Sequence, residues 1–138
     1  MILMIDDEER AMDSYVQELK LSGYDVSFQK SVDGAMEFFL ENQEQIDLLI
    51  LDIMMPPGFT FKGANTKDGL RTGVLVYERI RPEAPDLLIV ILTNVSDERL
   101  SERFQKERNC RYLRKEDYLP FELAQEVDQF LNPTESRG

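Results

Sequence analysis

The sequence predicts an α/β domain: an open, mainly parallel five-stranded sheet, doubly wound so that helices cover both faces. Three observations predict it. The short apolar runs ILMI, LLIL and LLIVIL alternate with longer stretches of helical spacing, and strands buried on both faces of a parallel sheet are continuous aliphatic runs. Each run stops at a polar residue, which leaves Asp6 with Asp7, Asp52 and Thr93 at three strand ends. Ligands of such sheets gather beyond the carboxyl ends of the strands, so one composite acidic site is expected there.

The elements follow in order. Strand one is Met1 to Asp6, and a helix from about Glu9 to Leu21 carries Met12, Tyr15, Val16 and Leu19 on one face before Gly23 ends it. Strand two, YDVSFQ, leads to Ser31 as N-cap of a helix whose apolar side is Ala35, Phe38, Phe39 and Leu40. Strand three is Asp47 to Leu51. After a long connection, RTGVLVYERIR forms a third helix that stops before Pro82, because the residue before a proline disfavours helix. Strand four is Leu87 to Leu92, and Ser96 is expected to cap a charged helix through about Arg108 with Leu100 and Phe104 one turn apart. Strand five is CRYL. The last helix runs from about Tyr118 to Leu131, with Phe121, Leu123, Val127, Phe130 and Leu131 on its core side. One domain, residues 1–132, with a flexible tail at 133–138 is expected from this layout.

Composition narrows the function. The net charge of −11 opposes binding to phosphate backbones, so direct nucleic-acid binding is not expected. The apolar runs are too short for a bilayer and the first strand begins at once, so no membrane role and cytoplasmic residence are expected. With no histidine in the chain, the commonest general base and zinc ligand are missing, and any phosphohistidine must be a partner's. Cys110, the only cysteine, has no disulfide partner within the chain and suits a small buried hydrophobe.

Read together, IDDE, LLILDIMMP, ILTN and YLRKED, in that order, resemble the receiver domain of two-component response regulators over about residues 1–131. The resemblance implies the flavodoxin-like doubly wound (βα)5 fold with strand order 2-1-3-4-5. It implies Asp52 as phosphoacceptor, with Thr93 and Lys115 binding the phosphoryl group and Thr93 with Tyr112 as switch residues. It implies Mg2+ on Asp7, Asp52 and the backbone carbonyl of Met54, with Asp6 acting largely through a bound water. Three carboxylates brought together also call for a cation on physical grounds, and hard oxygen ligands suit magnesium. The implied partners are a histidine kinase or histidine phosphotransfer protein, a downstream protein met by helix four, strand five and helix five, and a second copy where phosphorylation drives dimerisation. A stand-alone signalling switch, not a metabolic enzyme, is the expected role.

The same residues also admit plainer roles. Asp6 and Asp7 could cap the first helix, Thr93 could be only a strand former, Tyr112 only core packing and Lys115 a solvated loop cation. Asp52 has no good structural alternative, since a carboxylate straight after an apolar strand is costly unless paired or ligated. A receiver-shaped module that is never phosphorylated is one functional alternative. A haloacid-dehalogenase-type phosphatase is another, although Met54 stands where that family needs a second aspartate. Two departures from the receiver pattern stand out: Glu116 replaces the usual proline after Lys115, and the connection from Pro56 to Gly73 is unusually long. That connection is expected to be either a mobile surface insertion or a docking loop using Phe59, Phe61, Lys62 and Lys67.

Overall fold

In a computed structural model, which describes residues 1–67, 69 and 71–133, ten regular elements alternate along the chain. They are β1 (Ile2–Ile5), α1 (Glu9–Leu21), β2 (Val26–Gln29), α2 (Val32–Asn42), β3 (Leu48–Leu51), α3 (Thr72–Ile80), β4 (Leu88–Thr93), α4 (Glu98–Lys106), β5 (Cys110–Arg114) and α5 (Pro120–Leu131). All strand pairs are parallel and the order is β2-β1-β3-β4-β5, the predicted topology. Because β1, β3 and β4 are nearly all buried on both sides, period-two alternation sorts aliphatic residues between two core layers. Leu3, Ile5, Leu49, Leu51, Ile89 and Ile91 face α2, α3 and α4, where Phe39, Ile80 and Phe104 are fully buried. Ile2, Met4, Leu48, Ile50, Val90 and Leu92 face α1 and α5, against Met12, Leu19, Leu123 and Val127. Each such side chain contributes roughly 1.5–3 kcal/mol on burial, which is why this pattern decides the topology.

Register carries the site. Ile5 stands opposite Leu51, Leu51 opposite Ile91, and Thr93 opposite Arg114. Asp6, Asp52, Thr93 and Lys115 therefore leave the sheet along one edge, each at or one residue past its strand's end.

Several local expectations are corrected. The cap of α4 is Asp97, not Ser96: in an extended backbone its carboxylate accepts the N–H groups of Arg99 and Leu100. Phe121 and Leu40 are exposed, because the buried stripes are Leu123, Ala124 and Val127 on α5 and Val32, Ala35, Met36 and Phe39 on α2. The last helix begins at Pro120, whose fixed φ suits a first helical position, after a 3-10 turn over Lys115–Asp117. Ser31 caps α2 by accepting the Gly34 N–H, and Gly23 follows α1 in the left-handed region, both as expected. Cys110 is buried, and burial pushes its thiol up to about 12, so it stays protonated. Residues 134–138 of the expected tail lie outside the described residues.

One glycine joins the fold to the site. The Gly73 N–H donates to the Ile53 carbonyl, and a Cβ on Gly73 would stand 2.0 Å from the Asp52 carbonyl oxygen and 2.6 Å from the Ile53 Cα. Both neighbours are backbone and cannot step aside cheaply. Gly73→Ala is expected to destabilise the domain by about 3 kcal/mol or more, read as a lower urea midpoint.

Candidate functional site at the carboxyl edge of the sheet

Asp6 and Asp52 are almost wholly buried, at 1% and 4% exposure. Buried anions need partners, and the sequence supplies one cation from across the sheet. Lys115 Nζ lies 2.8 Å from Asp6 Oδ2, 3.3 Å from Asp52 Oδ2 and 3.5 Å from Glu8 Oε1. The lysine is steadied from behind: the Tyr15 hydroxyl of α1 donates to the Tyr118 carbonyl at 2.7 Å, fixing the turn that carries Lys115. Asp6 Oδ1 also accepts the Glu8 N–H at 2.8 Å, and Asp52 Oδ1 the Ile53 N–H at 2.7 Å.

Carboxylate oxygens of Asp6, Glu8 and Asp52 all lie within 4.8 Å of one another. The sequence pattern named Asp6 and Asp52 but missed Glu8, and Asp7 lies outside this convergence. Chain direction explains the difference: the turn closed by the Glu8 N–H on Asp6 brings the longer Glu8 side chain back toward Lys115. IDDE held the signal in its third acidic residue. Asp7 instead lines a cavity of about 230 Å³ with Glu8, Asp52, Met54, Thr93 and Asn94. One ammonium against four neighbouring carboxyl groups leaves the edge electronegative, a donor set suited to a hard divalent cation.

The titration behaviour follows from this crowding. Burial first, then the charge of Asp6, pushes Asp52 up to about 6, against the opposing pull of Lys115, Thr93 and the Ile53 N–H. Asp7 is raised too, by burial and then by Asp6. Burial pulls Lys115 down, but Asp6 and Asp52 more than offset it, so its pKa is raised and it stays charged.

Thr93 and Tyr112 meet through a third residue. The Val95 N–H donates to Thr93 Oγ1 at 3.2 Å, and the Tyr112 hydroxyl donates to the Val95 carbonyl at 2.8 Å. The Tyr112 ring stacks on Phe104 with centroids 6.2 Å apart, and Tyr77 meets the same Phe104 edge-on at 5.0 Å. Burial pushes the Tyr112 phenol up to about 12, so it remains a donor. Both bonds use the main chain of Val95, which a search by residue type does not detect.

The long connection is fastened at its described positions. Asp33, at the start of α2, accepts the N–H groups of Phe59 and Thr60 and the Thr60 hydroxyl; the Thr60 hydroxyl, then the Phe59 N–H, hold its carboxyl below the usual range. Phe61 is buried in the α2–α3–α4 core with Arg79 over its ring, so it anchors the segment and is not free to dock. Phe59, Lys62 and Lys67 are exposed. The Lys115–Glu116 peptide bond is trans, and Glu116 pairs with Arg114.

Residues 2–128 match the response regulator receiver domain family. A response regulator receiver domain protein from Clostridium thermocellum superposes with a TM-score of 0.72 at 26% identity, covering 95% of this chain and 93% of that one. A CheY-like receiver from Methanospirillum hungatei JF-1 gives 0.73 at 20% identity over 99% and 97%, a likeness of fold. The DNA-binding dual master transcriptional regulator RpaA of Synechocystis sp. is 44% identical over 61 residues, 43% of this chain; the chain spans only 24% of that protein's length. Among the described residues no helix is long and apolar enough to cross a membrane.

The raised Asp52 pKa fixes a sign for stability. With a folded value above the unfolded one, the folded state binds more protons between about pH 4 and pH 6, so ionising Asp52 costs stability as pH rises through that window. In chelator-treated protein, Asp52→Asn is expected to stabilise by roughly 3 kcal/mol at pH 7 and by little near pH 4, measured by urea unfolding at both pH values.

Proposed function

We propose a phosphoryl switch at Asp52, proceeding from the premise that this chain belongs to the response regulator receiver domain family and serves two-component signalling. The observation that carries the proposal is the Lys115 ammonium bridging Asp6 and Asp52 beside a cavity that Asp7, Met54 and Thr93 also line. Asp52 is the nucleophile. Its ionised carboxylate is the attacking form, and one oxygen is already turned to the Lys115 ammonium. A carboxylate oxygen forms the new P–O bond as the P–N bond of a phosphohistidine breaks. Since the chain has no histidine, that donor sits on a histidine kinase or histidine phosphotransfer protein.

The converging oxygens of Asp6, Glu8 and Asp52 suit Mg2+; Asp7 and the Met54 carbonyl, whose residues line the adjoining cavity, would complete its ligands with Asp52 while Asp6 acts through a water, and the ion would neutralise charge on the phosphoryl oxygens. The protein's own share is electrostatic. Lys115, held charged by two buried carboxylates, offers its ammonium to a second face of the phosphoryl group.

Arrival of the phosphoryl group changes what Thr93 can bond. Its hydroxyl accepts from the Val95 N–H while its own proton favours the Asp52 carboxylate; rotation of the side chain toward a phosphoryl oxygen redirects that proton and draws Oγ1 away from the Val95 N–H. The Val95 carbonyl holds Tyr112, so the perturbation passes to the ring against Phe104 and to the surface of α4, β5 and α5. Leu119 and Phe121 are exposed on that side and suit a protein partner.

Intact-protein mass spectrometry after incubation with acetyl phosphate and Mg2+ tests the proposal. One phosphoryl adduct is expected on the natural chain, none on Asp52→Asn and none with chelator. Absence of the adduct together with absence of beryllofluoride binding would leave a receiver-shaped module that works without phosphorylation.

A further inference from the structure

The connection between β3 and α3 reaches α4 as well as α2, through Arg71. The two oxygens of Asp97 are divided: Oδ1 accepts the N–H groups of Arg99 at 2.9 Å and Leu100 at 3.1 Å, and Oδ2 lies 3.3 Å from Arg71 Nη2. Arg71 is itself fixed where α3 departs. Its N–H donates to the Thr66 carbonyl at 2.9 Å and its carbonyl accepts from Val74 at 3.1 Å. Thr66 is buried, its Oγ1 accepts the Gly69 N–H, and the Gly69 carbonyl accepts the Met55 N–H. A continuous set of bonds therefore runs from Met55, three residues past Asp52, to Asp97, the cap of α4.

Between Thr93 and that cap lie only Asn94, Val95 and Ser96. Asn94 lines the cavity over Asp52, and Val95 holds both Thr93 and Tyr112. The short loop is thus held at one end by β4 and at the other by Arg71.

We propose that Arg71 is a positioning residue of the phosphoryl switch: by holding Asp97 it pre-orders the 94–97 loop, so that Thr93 engages a phosphoryl group on Asp52 with less loss of loop freedom. This rests on Asp52 being the phosphoacceptor. A loop already ordered loses less entropy when a ligand fixes it, so removing the tether weakens phosphoryl binding. Both partners are about one-third exposed, at 35% and 32%, which confines the effect to the range of surface ion pairs, about two- to five-fold in affinity.

The test is beryllofluoride affinity in the presence of Mg2+, followed by titration calorimetry on the natural chain and its variants. Arg71→Ala and Asp97→Asn should each weaken binding about two- to five-fold. The asparagine keeps an oxygen for the α4 cap but turns an uncharged amide donor, not an acceptor, toward Arg71. The double variant should be no weaker than either single one, because both remove the same interaction. Arg71→Lys should recover part of the loss. At about 1 M salt, where screening acts over roughly 3 Å, the natural chain and Arg71→Ala should converge. Glu78→Ala, which breaks the exposed α3–α4 pair with Arg103 at 2.8 Å, should leave affinity unchanged. Natural affinity in Arg71→Ala, additive losses in the double variant, or an equal loss in Glu78→Ala would each overturn the proposal. A natural chain that binds no beryllofluoride would instead remove the phosphoacceptor reading, and this inference with it.

Discussion

The arrangement depends on two carboxylates, Asp6 and Asp52, buried side by side with one ammonium between them. Burying like charges is unfavourable, and a single cation offsets it only in part. The remainder is visible in the raised Asp52 pKa. A sheet whose strands are otherwise packed with aliphatic residues can carry such a defect because it sits at one edge, where the core has been closed by the residues before it. What would relieve that unfavourable charge is a further cation among the carboxylates.

Neighbouring elements hold that edge from several sides. Tyr15 fixes the turn that delivers Lys115, and Gly73 lets α3 press against the backbone of Asp52. On the other side Thr93, Val95 and Tyr112 form a bonded path, and the aromatic contacts of Phe104 with Tyr77 and Tyr112 place α3 and α4 on it. Charge at the centre and packing at the periphery thus meet within a few residues.

The sequence made the topology legible because burial on both faces of a parallel sheet demands aliphatic runs, and little else demands them in segments this short. Asp52 was legible for the converse reason, that nothing structural calls for a carboxylate there. Helix faces were less legible: Phe121 and Leu40 are apolar yet exposed, since one position of rotation carries a residue off a stripe about 100° wide. The α4 cap went to Asp97 because two adjacent candidates differ only in backbone conformation, which residue types alone do not encode. Glu8 escaped for want of the turn that folds it back, and the fastening of the long connection to Asp33 escaped because it joins positions far apart in the chain. Glycines and polar residues in that segment suggest looseness; hydrogen bonds and a buried Phe61 oppose it.

The path from Thr93 to Tyr112 crosses residue 95 on its peptide atoms, one N–H and one carbonyl. Those atoms are common to every amino acid except proline, which lacks the N–H. Those two bonds therefore set no demand on the residue-95 side chain, which is constrained only by its own packing against the core. Under the proposed switch, one apolar side chain could replace another at that position and retune the packing around Tyr112 without breaking either bond of the path.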